Sequence, residues 1–410
     1  MIKRNMSLIV TNQFLTALAD SIFIISIMWY IYEITQSPLS SALFMVVNSL
    51  TSIVIAPFIG VLVDRREPKT SMQIGYIVMV SIGVALALLY LFWLDGIAFS
   101  IYVMLIVHNT CMFFIGPAKN KLLPRIVGVQ RIVKVNGYIS STSQTADLIG
   151  QGISGFLIAL IGFVGVMLFH SGVYIIASIL LIFVINISLP KEEEEDIEGD
   201  AETPKTKSML LELKEGWSIL KGNKPILKLT LLASLMNATT IAGSLVVVLV
   251  SDYYGGTAIE FGLFGAFAAV GGILIGLVAN KVSSFAKPGT VMFLMLSIAG
   301  FAFLGMGITK ALYMGILLYV IMSMLMTIYG ILYSALLIVL VEDKFRGRVF
   351  TLNGAISSLL MPAFAIAGGI IAEQGFPVNQ LFIGAGAWVV LLSLFLLFDK
   401  DIRSIEKVGN

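Results

Sequence analysis

The sequence predicts an all-α membrane protein in which twelve transmembrane helices form two pseudo-symmetric halves of six helices each. The 410 residues are 58% hydrophobic and only 12% charged, about half the charged fraction of a typical soluble domain. Apolar stretches of about 20 residues, long enough to cross the hydrocarbon core of a bilayer as a helix, recur along the chain. The second half of the sequence also repeats features of the first. Together these observations exclude a soluble globular domain.

Each apolar stretch predicts one membrane span. The first span follows the basic N-terminus without a small-residue cleavage site, which indicates a retained helix rather than a removed signal peptide. The tenth and eleventh spans are long enough to project beyond the bilayer. The predicted spans cover residues 7–32, 39–63, 71–94, 98–117, 134–160, 165–189, 226–250, 259–280, 290–309, 311–340, 345–373 and 378–398.

The distribution of charge supports this number of spans and orients the chain. Of the 26 Lys and Arg residues, all except Lys310 fall in segments on the same side as the N-terminus. Because basic residues concentrate in cytoplasmic loops, both termini are expected in the cytoplasm. The pattern of short loops is typical of a multi-pass protein of a bacterial plasma membrane. The acidic residues of the opposite loops are Glu33, Asp95, Asp252, Glu260 and Glu373.

A shift of about 216 residues aligns the sequence with itself, which indicates a duplicated six-helix unit. Gly-Val-Leu-Val-Asp-Arg at 60–65 falls on Gly-Leu-Val-Ala-Asn-Lys at 276–281, and Leu-Ala-Asp at 18–20 falls on Leu-Met-Asn at 235–237. A third match pairs Asn136-Gly137 with Asn353-Gly354. Parallel repeats of this kind are typical of transporters that bind their cargo between the halves.

The repeat and the composition define four regions. Residues 1–189 are predicted to form the N-terminal six-helix bundle and residues 225–399 the C-terminal six-helix bundle. Between them, residues 190–224 form a cytoplasmic linker that begins with a charged run lacking periodicity and ends in a short interfacial helix. The apolar face of that helix would consist of Met209, Leu210, Leu213, Trp217 and Leu220. Residues 400–410 form a cytoplasmic tail.

Several functional classes are excluded by residues that the sequence lacks. The one cysteine, Cys111, rules out a disulfide framework, and the two histidines, His108 and His170, are too few for a histidine metal cluster. We therefore expect neither a metal site nor a cofactor. The sequence contains no phosphate-binding loop, zinc-protease motif or nucleophile elbow, so an ATPase or another enzyme is not expected.

Two carboxylates lie deep within predicted spans, Asp20 in the first and Asp147 in the fifth. A carboxylate at this depth costs at least ~2.5 kcal/mol, and no Lys or Arg is comparably deep. A desolvated acid favours its protonated form, so each can carry a proton or pair with a cationic cargo. The alternatives are hydrogen bonding of Asp20 to a neighbouring helix, and a polar network of Asp147 with Gln144 and Gln151.

Other polar and aromatic residues within the predicted spans are candidates for lining a cavity. A lining of this kind, together with adaptable Met and Phe side chains, suits broad recognition of bulky amphipathic compounds. The candidates are Asn12, Gln13, Tyr30, Asn48, Asn109, Gln144, Asn237, Tyr329 and Asn353.

The loop between the second and third spans, Gly-Val-Leu-Val-Asp-Arg-Arg-Glu-Pro-Lys-Thr-Ser at 60–71, concentrates charge in an otherwise apolar region. Its Gly-x-Leu-x-Asp-Arg pattern with a basic tail resembles the hallmark of the major facilitator superfamily. Glu67 and Pro68 depart from the usual Gly and basic residue of that pattern. The resemblance extends over essentially the whole chain and implies the fold of that superfamily.

Three further segments resemble the drug–proton antiporter branch that contains the macrolide-efflux proteins. They are residues 116–127, 213–224 and 347–362. The Gly-Pro-x-x-Gly-Gly signature that this branch has in its fifth helix is degraded here to Gly150, Gln151, Ser154 and Gly155.

The resemblance also implies a gating latch between the charged loop and the inner start of the eleventh helix. A carboxylate there would be stabilised by the N-terminal N–H groups of the helix and by nearby guanidiniums. The alternative is a merely solvated turn. The latch residues would be Gly60, Asp64, Arg65, Lys69, Arg346 and Arg348.

The sequence therefore predicts a secondary active exporter that moves a small amphipathic molecule, a drug or macrolide-type antibiotic, out of the cell by proton antiport and alternating access. The alternative cargo is an endogenous metabolite such as a metallophore, siderophore or peptide antibiotic. The expected partners are the cargo and the lipid bilayer, without nucleic acid, and the protein is expected to be a monomer driven by an ion gradient.

Overall fold

The computed structural model describes residues 2–64, 66–185, 217–218, 220–283, 286–342 and 345–399. Within these ranges the chain is helical and contains no β-strand. Ten helices are long and apolar enough to cross a membrane. One of the ten, Ile132–Ile182, consists of two helices joined at a sharp bend, and Pro38–Asp64 is a further apolar helix. The predicted all-α membrane fold with twelve helices is confirmed.

The chain divides into two compact units. The first unit comprises Met1–Gln36, Val47–Thr203 and Thr257–Ala266, and the second comprises Ser37–Val46, Pro204–Gly256 and Phe267–Asn410. These units differ from the predicted halves in two short segments, the start of the second helix and the start of the eighth.

The first six helices follow the predicted spans closely. Their bounds are α1 Ile2–Thr35, α2 Pro38–Asp64, α3 Pro68–Phe92, α4 Ile97–Val127, α5 residues 132–161 and α6 residues 163–182. The two largest differences from prediction are that α4 continues to Val127 instead of ending at residue 117, and that α6 ends at Ile182 instead of residue 189. The extension of α4 places Lys119 on a helix rather than in a loop. Within the first unit, α1 packs mainly on the α5–α6 pair, and α3 packs on both α4 and that pair.

The last six helices contain two interruptions. Their bounds are α7 Lys224–Tyr253, α8 Ala258–Ser283, α9 Pro288–Ile308, α10 Leu312–Leu340, α11 Arg346–Ser358 with Met361–Glu373, and α12 Val378–Phe398. α9 packs mainly on α12 and α10.

The bend between α5 and α6 occurs at a single residue, Gly162, with φ 64° and ψ −175°. L-residues with a side chain rarely adopt this conformation, whereas glycine does so at little steric cost. The two helices therefore meet without an intervening loop.

α7 is irregular in its second half, although the sequence predicted one continuous span. The regular helix ends at Met236 and is followed by a 3₁₀ turn, short helical pieces and a π-helical segment, Leu249–Tyr253. The hydroxyl of Thr239 donates to the carbonyl of Met236 at 2.8 Å, and such local bonds bend helices. In α11 the break precedes Pro362, which lacks the N–H that a continuous helix requires.

A buried amide joins three helix ends at one end of the first unit. Asn5 on α1 is fully buried and donates to the carbonyls of Ile126 at 2.9 Å and Ile185 at 2.7 Å. Its Oδ1 also accepts from the N–H of Ile185 at 3.3 Å. These bonds satisfy a carbonyl group in the last turn of α4, which the helix leaves unpaired, and a carbonyl group in the segment just after α6.

We expect Asn5→Leu to destabilise the protein by about 2 kcal/mol, because three hydrogen bonds are lost and two carbonyls stay buried without a donor. Thermal unfolding in detergent measures the effect. Asn120→Leu, at an exposed position on α4, is the matched control. Equal unfolding temperatures for the two variants would show that Asn5 does not hold the helix ends together.

Glu67 and Pro68 start α3, which explains their departure from the family pattern. Pro68 occupies the first turn, where a missing N–H costs nothing, and Glu67 is the N-cap residue. The N–H of Thr70 donates to Glu67 Oε2 at 2.6 Å and its hydroxyl at 2.9 Å. Partial burial raises the pKa of the Glu67 carboxyl, but the hydrogen bonds outweigh burial and the net pKa lies below the usual glutamate range.

Because the folded state lowers this pKa, ionised Glu67 contributes stability above the unfolded pKa and loses it as the pH falls through the folded value. The residue is exposed, so we expect Glu67→Gln to cost at most about 1 kcal/mol at neutral pH. The difference from the native protein should vanish in acid. Unfolding at several pH values tests this, with the exposed Glu33→Gln as control. A difference independent of pH would contradict the capping role.

Small residues of the degraded signature in α5 lie at close helix contacts within the first unit. A Cβ on Gly150 would lie 2.7 Å from the Cβ of Ser21 on α1, and a Cβ on Gly155 would lie 2.6 Å from the Cα of Ile259 on α8. The hydroxyl of Ser154 donates back to the carbonyl of Gln151 at 2.8 Å. The pattern thus supports packing of α5 against two neighbours.

Only part of the predicted interfacial helix is described. Residues 190–216, which include Met209, Leu210 and Leu213, lie outside the described ranges, as does the tail 400–410. Trp217 is exposed, whereas Leu220 is fully buried against Ile226, Leu337, Val341 and Val349. The membrane-surface position predicted for Leu220 is therefore wrong, because its side chain packs inside the second unit.

Candidate functional site

The predicted intramembrane carboxylate of α1 lies in a cluster of ionisable side chains within the first unit. Asp20 Oδ1 accepts a hydrogen bond from the hydroxyl of Tyr174 at 2.7 Å and lies 3.3 Å from His108 Nε2. His170 Nε2 is 3.7 Å from the same oxygen. The Asp20 side chain is 14% exposed. Three helices, α1, α4 and α6, thus contribute one carboxylate, two imidazoles and one phenol, with His170 and Tyr174 both on α6.

The two histidines are among the most buried polar residues of the described chain. His108 is 2% exposed and His170 is 1% exposed. The ring of Phe23, one helical turn from Asp20, stacks on His108 and contacts His170 at a tilt of 33°, with ring centroids 4.7 Å apart in both pairs. Among the described residues, neither ring nitrogen of His170 has a hydrogen-bond partner, and Nδ1 of His108 has none. An unpaired buried polar group is costly and often marks a functional position.

The approach of α3 to α6 sets the position of His170. Gly83 on α3 faces Ser171, Met167 and His170, and a Cβ at this position would lie 3.3 Å from His170 Nδ1. The hydroxyl of Ser171 donates to the carbonyl of Val80 at 2.9 Å. Glycine on α3 therefore lets α6 approach closely enough for His170 and Tyr174 to reach Asp20.

The cluster also has the composition of a cation site. One ligand atom from each of Asp20, His108 and His170 lies within 4.8 Å of the others. Imidazole nitrogens and a carboxylate oxygen are donors that first-row divalent metals such as Zn²⁺ accept. The expectation of no metal site considered only the number of histidines and overlooked the aspartate that completes this donor set.

Asp147 is half-buried. It lies on α5, which packs against α1, the helix that carries Asp20. The hydroxyl of Ser21 donates to the backbone carbonyl of Asp147 at 3.0 Å. The structure shows Gln144 hydrogen-bonded to Ser140 instead of to Asp147. The coupling role of Asp147 stays a prediction.

Two further polar residues of α1, Asn12 and Gln13, lie about two helical turns before Asp20. Asn12 donates to the carbonyl of Ala177 at 2.7 Å and accepts from the hydroxyl of Tyr76 at 2.6 Å. Gln13 donates to Ser143 at 2.8 Å and accepts from the ammonium of Lys119 at 2.6 Å. Asn12 and Gln13 were predicted to line a cavity, and both connect α1 to neighbouring helices.

The other candidates of the first unit are separate from the cluster. Asn109 donates to Asn48 at 2.7 Å, and this pair joins α4 to α2. Tyr30 is 8% exposed and packs against the ring of Phe163 at 4.8 Å. Gln144 is exposed. Their cavity-lining role stays a prediction.

The three candidates of the second unit lie where α7, α10 and α11 meet. Asn237, at the repeat position of Asp20, donates to the carbonyl of Ser357 at 2.7 Å. Asn353 accepts from Thr230 at 2.8 Å and from Tyr333 at 2.6 Å. The ring of Tyr329 stacks 6.0 Å from that of Tyr333. The second unit thus has a neutral hydrogen-bond network at the position where the first has a carboxylate.

Most of the predicted latch cannot be placed. Arg65 lies outside the described residues, and for Gly60, Asp64 and Arg348 only the backbone is described. Lys69 donates to the carbonyls of Ile182, the last residue of α6, at 2.9 Å and of Val184 at 2.7 Å. Arg346 donates to the carbonyls of Ile338 at 2.7 Å and Val341 at 3.2 Å. The latch stays a prediction.

Sequence reasoning did not connect Asp20 with its partners. His108, His170 and Tyr174 lie 88, 150 and 154 residues away in sequence, so no local pattern connects them. The available signal was their type, because the chain has only two histidines and both occur within predicted spans.

Known proteins resemble this chain over almost its full length. It is 23% identical over 403 residues to "Macrolide efflux protein A" of Streptococcus pyogenes, covering 96% of each chain. It is 26% identical over 420 residues to "Uncharacterized MFS-type transporter YfiS" of Bacillus subtilis, covering 99% of this chain and 95% of that one.

Among solved structures, a bacterial homologue of the iron transporter ferroportin in an inward-facing state superposes with a TM-score of 0.76. The alignment covers 98% of this chain and 100% of that one at 14% identity, which is evidence for the fold alone. The family model described as Major Facilitator Superfamily matches residues 9–365. With its twelve-helix fold and a match over most of its length, the chain belongs to the Major Facilitator Superfamily.

Proposed function

We propose that this membrane transporter exports a small amphipathic molecule from the cell and that protons moving down their gradient drive the export. The main support for this proposal is the contact of Asp20 with His108, His170 and Tyr174 inside an apolar bundle. Such a cluster is expensive to keep in a membrane, and intramembrane acids and histidines are typical of proton relays.

The chemistry of the cluster suits proton exchange. Tyr174 donates to Asp20, and each imidazole has a nitrogen facing the same carboxylate oxygen, so a proton on any member changes the charge of the whole group. Binding of a cationic cargo group and binding of a proton would compete for one carboxylate. Competition of this kind couples the two movements, because the site releases one when it takes up the other.

The similarity to macrolide efflux proteins supports an amphipathic drug or antibiotic of macrolide type as the cargo. The proposal places the protein in the bacterial plasma membrane with both termini in the cytoplasm, acting as a monomer without nucleic acid or a bound cofactor. The distribution of Lys and Arg carries this orientation.

Everted membrane vesicles test the proposal. Vesicles that contain the protein should accumulate labelled erythromycin when an imposed proton gradient is present and release protons as they do so. Accumulation should stop with an uncoupler and should not depend on a chelator. Uptake that requires added Zn²⁺ instead of a proton gradient would overturn proton coupling.

A comparison of metabolites in cells and spent medium, with and without the gene, tests the cargo. No change in native metabolites together with drug accumulation in the deletion strain supports drug efflux. A single native metabolite retained in the deletion strain, with unchanged erythromycin transport, would replace the drug by an endogenous cargo such as a metallophore, siderophore or peptide antibiotic.

A further inference from the structure

A cavity of about 190 Å³ lies within the second unit, separate from the ionisable cluster. Its wall comes from the start of α2 and from α7, α9, α10 and α12, all of which belong to this unit. The cavity adjoins the irregular part of α7, where the main chain does not form a continuous α-helix. Side chains that dominate the wall are Met45, Met236, Met322, Met326, Phe303 and Tyr319.

The wall is mostly apolar and carries no carboxylate or basic side chain among its described residues. Met322 and Met326 are one helical turn apart on α10, so both face the same side of that helix. Thioethers are polarisable and adopt several rotamers, which lets a methionine wall adapt to different apolar shapes. None of the described residues that line the cavity is an acid, Lys, Arg or His. The polar side chains there are the hydroxyls of Thr239, Thr240 and Tyr319.

The size of the cavity limits what it can hold. An apolar cavity of about 150 Å³ admits benzene, and drug-sized ligands need about 300–1,000 Å³. A cavity of about 190 Å³ therefore takes one substituted ring rather than an entire macrolide. A charged group would be buried there without a partner of opposite charge, which disfavours its binding.

We propose that this cavity binds one uncharged, ring-sized apolar group, and that this group is part of the exported cargo. The link to the cargo rests on the proposed function, whereas binding of the ring rests on the cavity alone. Hydroxyl or ether substituents on the ring would meet the threonine and tyrosine hydroxyls, and the methionines would adjust to the shape of the ring.

Gly243 offers a direct way to fill the cavity. It lines the wall at the end of a short helical piece of α7, and no atom lies within 4 Å of the position of a Cβ there. Gly243→Leu therefore places a side chain in open space without a clash. Gly330→Leu is the matched control, because Gly330 on α10 also has no atom within 4 Å of its Cβ position and is not part of the wall.

The probe is para-fluorobenzyl alcohol, followed by fluorine NMR with purified protein in detergent. We expect Gly243→Leu to weaken binding of the probe about tenfold or more, and Gly330→Leu to bind it as the native protein does. The charged analogue para-fluorobenzylamine should bind the native protein about tenfold more weakly than the alcohol.

A second variant protects the test against misfolding. Met322→Ala enlarges the cavity, so it should gain affinity for a fluoronaphthyl methanol that the native cavity excludes. Equal binding of the probe to Gly243→Leu and native protein would overturn the site, as would preference for the amine. Absence of the gain in Met322→Ala would contradict the location.

Displacement links the cavity to the cargo. Erythromycin should displace the probe from native protein, and its failure to do so would remove the cavity from cargo recognition while leaving ring binding intact. Failure of proton-driven transport in vesicles would contradict the proposed function but not the binding measured by NMR. The two proposals therefore fail by different readouts.

Discussion

Asp20→Asn is expected to slow proton-driven export about 100-fold or more, the scale on which loss of a proton-transfer group acts. Asparagine keeps the size and can still accept a hydrogen bond from Tyr174, but it takes up no proton. Cargo binding in the absence of a gradient should persist for an uncharged macrolide analogue. Initial rates of erythromycin uptake by everted vesicles, with and without a proton gradient, measure the effect.

Asp95→Asn provides the matched control, since it makes the same chemical change at an exposed position before α4. Its transport rate should equal that of the native protein. His170→Gln should also lose the gradient-driven component, because its imidazole faces Asp20. Gradient-driven export by Asp20→Asn at the native rate would show that the cluster does not couple transport to protons.

Gly155→Val is expected to destabilise the protein by about 3 kcal/mol, at the upper end for overpacking. A Cβ at this position would lie 2.6 Å from the Cα of Ile259 and 2.8 Å from the carbonyl carbon of Ala258. The obstacle is main chain rather than a side chain that can rotate away. α5 and the start of α8 would have to separate, with loss of their packing.

The yield of monodisperse protein and the unfolding temperature in detergent measure this effect. Gly172→Val on α6 is the control, since no atom lies within 4 Å of the corresponding Cβ position. If both variants unfold at the native temperature, the close contact of Gly155 is not needed for stability.

Much of the fold could be predicted because membrane helices leave a strong signal. The twelve apolar stretches and the concentration of Lys and Arg on one side of the membrane predicted the spans. The observed ends of Leu312–Leu340 and Val378–Phe398 agree with prediction within a few residues. The breaks in α7 and α11 were missed, because hydropathy does not register hydrogen bonding by Thr239 or the missing N–H of Pro362.

The candidate site was predicted only in part. Asp20 could be identified because a buried carboxylate is conspicuous in an apolar segment. Its partners could not, since the meeting of His108, His170 and Tyr174 depends on the close approach of α3 and α6 at Gly83. The methionine cavity could not be predicted either. Methionine is common throughout this chain, and the sequence does not show which methionines line a cavity and which are packed in the core.

The neutral asparagine at position 237, opposite Asp20 in the internal repeat, has an evolutionary consequence. The first copy has an ionisable group at this position, whereas the second has an amide that donates to the backbone carbonyl of Ser357 on α11. Under the proposed function, substitutions in the methionine cavity of the second unit would alter the range of exported compounds and leave the ionisable cluster of the first unit unchanged. A lineage could then change its range of cargo through substitutions in one copy alone.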